Sequence, residues 1–201
     1  MFAVVTDGSI TSFPHGNKGI TIGDNQYPVA IYTLWTEAER NAIGIYTVEI
    51  DNTNKKDEEW YINTNQSYAF GSGKVTATYG TATAKAIADT LWTAQDETDG
   101  KGTEGEVATR GLKYNLIQTL KQQVAGILND TDWYITRNAE KSTAIPSAIS
   151  THRDAVRTKQ ASMETAITNA SDTPALETLY TYTTTDGVQS RPLGELPTLE
   201  S

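Results

Sequence analysis

Apolar and polar positions change rhythm along this chain. Up to about residue 80 the apolar positions come in short runs: Phe2–Val5, Ile10–Phe13, Ile20–Ile22, Val29–Leu34, Ile45–Ile50, Glu59–Ile62 and Lys74–Tyr79. Runs of this length, rich in β-branched and aromatic residues and bounded by turn residues, predict strands. Asp7-Gly8 and Gly71-Ser72-Gly73 are hairpin signals, with Tyr68-Ala69-Phe70 and Lys74–Tyr79 as the arms of the second. His15–Gly19, Gly23-Asp24-Asn25 and Asp51–Asp57 read as loops. One helical interruption is expected, because Thr36 and Glu39 are spaced as a capping box and Gly44 suits a left-handed stop.

Further on the period lengthens. Leu116, Ile117, Leu120, Val124, Ile127 and Leu128 recur at threes and fours, the spacing of one helical face, and Asn129-Asp130 ends the run. Pro146 suits the opening of a second helix, along which Ile149, Arg153, Val156, Gln160, Met163, Ile167 and Ala170 form a near-heptad seam. The two helices predict a hairpin joined by a knuckle at Asp132-Trp133-Tyr134, with Trp133 buried as a plug at the crossing. Thr173-Pro174 opens a shorter helix with Leu176, Leu179 and Tyr180 on its apolar side. Between the two regimes, Thr81–Ala94 reads as a weak helix, and the acidic, Gly-rich stretch Gln95–Gly105 as a solvated linker. The expected fold is therefore α+β: a β-rich domain over 1–80, weak helix and linker over 81–105, a helical hairpin domain over 106–182, and an extended tail over 183–201. No repeat of solenoid period is present.

Composition narrows the classes of function. A chain of 201 residues can bury a core without staples, and with no cysteine it has neither disulfides nor thiolate metal sites. A net charge of −9 argues against a general grip on nucleic acid or on an anionic membrane. No apolar run approaches a membrane span, and the N-terminus lacks a basic region and a hydrophobic signal core, so synthesis in a cytoplasm is expected. The histidines, His15 and His152, fall in a Gly-rich loop and on a helix, an unpromising metal pair. Glycine patterns for phosphate or dinucleotide binding and a Gly-x-Ser-x-Gly elbow are absent, and Asp57-Glu58-Glu59 point apart as consecutive residues must. The sequence offers no catalytic, cofactor-binding or metal-ligating set, and the expectation is a protein that is not an enzyme.

Arginines carry the sharper expectations. Arg153 and Arg157 lie one helical turn apart, and with Arg137, Asp132 and Glu140 could form an internal ion-pair network; Arg137, Arg153 and Arg157, together with Trp133, could instead anchor a partner subunit. In the tail, Val188, Leu193, Leu196 and Leu199 are too sparse for a core of their own but suit an extended arm docking on a neighbour. Asp132-Trp133-Tyr134, Arg137, Glu140, Ile145-Pro146, His152-Arg153 and Val156-Arg157 together resemble the C-terminal signature of bacteriophage tail proteins, a group of tail-fibre assembly proteins and small tail and baseplate components of tailed, especially marine, phages. His152 and Val156 depart from the Tyr and Leu usual there. Trp35, Glu37, Glu39, Arg40 and Ile43-Gly44-Ile45 resemble a further segment of the same proteins. The resemblance implies a structural tail component, a baseplate or fibre adaptor, or alternatively a fibre-assembly chaperone. It would act by contact with other tail proteins, in an assembly that can hold several copies, and reside in the virion tail after synthesis in the host cytoplasm. Neither nucleic acid, membrane nor cofactor enters that picture, and the acidic balance favours a basic or neutral partner surface.

Overall fold

The computed structural model mixes helices and strands, describes residues 1–199, and divides the chain into two compact units, Met1–Thr83 and Ala84–Ser201. The first unit contains β1 (Phe2–Thr6), β2 (Ser9–Ser12), β3 (Ile20–Ile22), β4 (Asn25–Tyr27), α1 (Ile31–Leu34), α2 (Glu37–Ala42), β5 (Ile45–Asp51), β6 (Tyr61–Ile62), β7 (Gln66–Gly71) and β8 (Lys74–Tyr79). A five-stranded sheet runs in the order β2-β1-β5-β8-β7; β5 and β8 are parallel, with Val48 opposite Val75, and the other pairs are antiparallel. Its end strands curl toward each other, bringing the Phe13 and Tyr68 ring centroids within 4.6 Å.

Alternation along β1 explains the core of this unit, since successive side chains leave a strand on opposite faces. Ala3 and Val5 join Tyr46, Val48, Phe70, Val75 and Ala77 on one face. Phe2 and Val4 join Ile31, Tyr32, Ile45 and the β3–β4 hairpin residues Ile20, Ile22 and Tyr27 on the other. Covering that second face required a change from the expected strand at Val29–Leu34. The segment is instead a helical turn, started when Pro28 and Val29 accept from the N–H groups of Ile31 and Tyr32. A helical turn sends both Ile31 and Tyr32 inward, whereas consecutive residues of a strand point to opposite faces. The run at Glu59–Ile62 also shortens, because the N–H groups of Trp60 and Tyr61 turn back to the Asp57 carbonyl.

Strand β9 (Thr83–Ala84) carries the chain from the first unit to the second. There follow β10 (Thr90–Leu91), α3 (Ala94–Thr98), β11 (Val107–Thr109), α4 (Leu112–Asn129), α5 (Asp132–Lys141), α6 (Ser147–Asn169), α7 (Thr173–Tyr180), β12 (Thr183–Thr185) and β13 (Val188–Ser190). The expected weak helix over 81–94 is extended instead. Its acceptors serve as caps: the Ala86 and Ile87 carbonyls accept from the N–H groups of Leu112 and Lys113, and the Asp89 carboxylate accepts from the Gly111 N–H at 2.8 Å. The otherwise orphaned donors of the α4 N-terminus are thereby satisfied. Gly111 is needed for this approach, because a Cβ there would meet the Ala88 carbonyl group.

The acidic stretch 95–105 is likewise not an open linker. It holds α3, capped reciprocally by Thr93 and Asp96, and is closed at its base by pairing of β10 with β11. Asp96 also receives the Lys101 ammonium at 3.1 Å, and its carboxyl is held down to about 2 by the Thr93 hydroxyl and backbone N–H and by that lysine.

Helices α4 and α6 pack through the faces read from the sequence. Leu120 and Val124 on α4, and Ile149, Arg153, Val156, Met163 and Ile167 on α6, are buried. The Lys113 ammonium closes the far end by donating to the Thr168 carbonyl at 2.8 Å, a cation at a helix C-terminus. Two expectations change here. The knuckle at Asp132-Trp133-Tyr134 is the first turn of the ten-residue helix α5, and over 183–199 the tail is not an arm, its last two positions lying outside the described residues. Its Asp186-Gly187 turn joins β12 to β13, after which Leu193 is buried with 3% of its surface exposed. Among the described residues no helix is long and apolar enough to cross a membrane.

Candidate protein-interaction surface

The joint between α4 and α5 is held from α6 by Arg153. The last carbonyls of a helix lack intrahelical donors and carry the negative end of its dipole, so a cation is favoured there. Arg153 Nη1 donates to the Leu128 carbonyl at 2.8 Å and to Thr131 Oγ1 at 2.7 Å, and Nη2 lies 2.8 Å from Asp132 Oδ1. Its side chain is 8% exposed, whereas that of Asp132 is 55% exposed. Thr131, which the sequence did not single out, is buried and donates its hydroxyl back to the Leu128 carbonyl.

Of the expected arginine network, only the Arg153–Asp132 pair forms. Arg157 points to solvent and sits 3.7 Å from Asp154 on its own helix. Arg137 lies over the rings of Trp133 and Tyr134, at 4.5 and 5.5 Å from their centroids. Trp133 corrects the sequence reading most sharply: 51% of it is exposed, so it plugs no crossing. The crossing is filled by the stem of Arg153 and by Thr131, and α5 has no buried residue at all. The indole, on the first turn of α5, lies against its own neighbours, Tyr134 at a centroid distance of 4.0 Å and Arg137.

The tail candidates separate, Leu199 staying exposed. Val188 is exposed on the hairpin, Leu193 belongs to the core, and Leu196 is half-buried beside Ile127 and Met163. Leu193 is fixed through its backbone, its N–H donating to the Leu179 carbonyl and its carbonyl accepting from Lys159 Nζ at 2.9 Å. Around it is a polar clasp that the sequence reading missed. Arg191 pairs with Glu195 at 2.8 Å, and the Tyr182 hydroxyl donates to Glu195 at 2.6 Å. Burial pushes the Glu195 carboxyl up, but the bonds from Tyr182 and Arg191 outweigh it and hold the group below the usual carboxylate range. The i, i+4 spacing of Arg191 and Glu195 was the available signal, obscured by the intervening Pro192. Past the clasp, residues 196–199 run beside His152, which is buried; Ile127, Thr131, His152, Leu196 and Leu199 are among the residues lining a cavity of about 320 Å³.

In the first unit, the Trp35–Ile45 segment is accounted for by folding. Thr36 and Glu39 cap each other, Arg40 folds back to donate to the Trp35 carbonyl, and Ile45 enters the core. Gly44 adopts φ 81°, and a Cβ on it would lie 2.6 Å from the Val5 carbonyl oxygen, so no other residue fits without strain. His15 and His152 belong to different units. Among the described residues no group of three or more acidic or histidine side chains is placed to hold a metal ion. Comparison with protein-family models, with curated proteins and with solved structures finds no match for this chain.

Proposed function

We propose that this chain is a structural component of a bacteriophage tail, a baseplate or tail-fibre adaptor that works by protein–protein contact. The observation that carries the reading is the outward face of α5. There a half-exposed tryptophan, stacked with Tyr134 and Arg137, lies inside the segment that resembles the tail-protein signature. Tryptophan and arginine are the residues on which interfaces most often depend. Within that segment, Asp132 and Arg153 are engaged in holding α4 to α6, and Val156 is in the core. Trp133 and Arg137 are left over for contact. In this reading a β-rich unit and a helical unit act as two modules of an adaptor whose partners are other tail proteins, several copies sharing one assembly. The protein is made in the host cytoplasm and ends in the virion tail, and its work is contact rather than chemistry.

Mass spectrometry of gradient-purified virions tests this. The expected result is the chain at a fixed stoichiometry to other tail proteins. Absence from virions, with loss of fibre maturation when the gene is deleted, is the result expected of an assembly chaperone and would overturn the structural role.

A further inference from the structure

We propose that the stripe of Trp133, Arg137 and Lys141 on α5 is a docking site for a protein segment that presents a carboxylate beside an apolar side chain; this rests on the contact reading above and names its partner chemistry. Residues four apart share a helical face, so the three line up along one side of α5, with Tyr134 next to them. Arg137 is set apart from the other arginines by its lack of an acceptor. Arg40 donates to the Trp35 carbonyl, Arg110 pairs with Asp89, Arg153 with Asp132, Arg157 with Asp154 and Arg191 with Glu195. Among the described residues Arg137 has no carboxylate or carbonyl partner, and its Nε is shielded from solvent without a hydrogen bond. Lys141, exposed in the last turn, has no ion pair among the described residues either. Glu140 borders the stripe without an ion pair to Arg137, so the stripe keeps a net positive charge on a chain whose overall charge is −9.

The geometry suits a carboxylate. A guanidinium held 4.5 Å over an indole centroid is already partly ordered by that contact, so less side-chain freedom is lost when its edge is engaged. That edge offers paired N–H donors that match a carboxylate bidentately. The indole alongside supplies apolar area, hence the apolar neighbour required of the partner residue. A ten-residue helix is short for independent stability, and α5 buries no residue of its own, so a partner laid along this face would also supply packing that the unit does not.

The test uses the full chain and two synthetic twelve-residue peptides, identical except that one carries Asp and the other Asn beside a central Leu. The readout is the indole N–H resonance of Trp133, assigned with Trp133→Phe. The expected result is a shift saturating at about tenfold lower concentration for the Asp peptide at low salt. That advantage should narrow as salt rises and vanish in Arg137→Gln. Arg137→Lys should retain only part of it, because the charge stays and the planar fork is lost. Equal binding of both peptides, or no shift with either at millimolar concentration, overturns the proposal. So does a Trp133 shift that depends on chain concentration alone, which would make a second copy the occupant. Should Arg137→Gln fail to fold, the Asp/Asn pair on the unaltered chain still decides. The chain's absence from virions would remove the tail reading and leave this result standing.

Discussion

Replacing Arg153 by alanine should be among the most damaging single changes in the second unit, and the structure says which of its bonds matters. The guanidinium makes two bonds to neutral acceptors, the Leu128 carbonyl and Thr131 Oγ1, and one to Asp132. Bonds from a charged donor to protein acceptors contribute about 1.5–3 kcal/mol each. The Asp132 pair counts for about 1 kcal/mol or less, because that carboxylate is mostly in water. Loss of the buried stem adds about 0.8 kcal/mol per methylene. Against these stand the desolvation and rotamer entropy of an arginine, about 2 kcal/mol for the entropy alone. Leu128 O also keeps its bonds from the Thr131 N–H and hydroxyl, so no buried acceptor is stranded. The balance is a loss of about 3 kcal/mol, or a melting temperature of the helical unit lower by about 10 °C.

The informative comparison is with Asp132→Asn, expected to cost about 1 kcal/mol at most. Urea unfolding followed by far-ultraviolet circular dichroism measures both. If Arg153→Ala stays within about 1 kcal/mol of the unaltered chain, the buried carbonyl bonds do not hold the joint. If the two variants are equally damaging, the ion pair rather than those bonds is the fastener, and the argument from exposure fails.

Trp133→Ala should shift the unfolding midpoint by less than about 0.5 kcal/mol, since the ring is half in water, whereas Leu193→Ala should cost about 2–5 kcal/mol by opening a cavity in the core; parallel denaturation curves give the ranking. Gly44→Ala should destabilise the β-rich unit by more than the roughly 1 kcal/mol of a left-handed residue, because the added Cβ collides with the Val5 carbonyl oxygen, and thermal melting followed at the β-sheet signal would register it. The Asp96 carboxyl should titrate near 2 by carbon-detected NMR, so the capping of α3 is present above the ordinary aspartate range and is lost only as pH falls through about 2; a midpoint near 3.8 would mean the cap is not formed in solution.

What the sequence made legible follows from where the signals are local. Hairpin turns, the Thr36 capping box, the left-handed Gly44 and the seams of α4 and α6 are each written within a few residues, and each is where the pattern puts it. The errors occur where a distant partner decides. Thr81–Ala94 has helical composition, but its carbonyls are claimed by the N-terminus of α4, some 25 residues on. The acidic stretch after it looked unstructured by charge, yet Thr93-x-x-Asp96 is a capping box with aspartate in place of glutamate, one substitution away from the pattern sought. Leu193 reads as part of an arm because nothing near it in sequence forms a core; its backbone partners are Leu179 and Lys159, on the preceding helices α7 and α6.

Trp133 shows how one wrong assignment can redirect an argument about function. A large aromatic at a helix junction is usually the plug, which sets Trp133 between two readings, a stability residue and an interface anchor. Here the junction is filled by an arginine whose stem is long enough to cross from α6 and whose head satisfies the end of α4. With Arg153 in that place and bonded to Asp132, the indole of Trp133 on the first turn of α5 is half in water. The residues that hold the joint and those displayed beyond it are therefore different sets. Substitutions at Trp133 and Arg137 can change binding without changing folding, and Arg153 links the two sets through its bond to Asp132 at the start of α5.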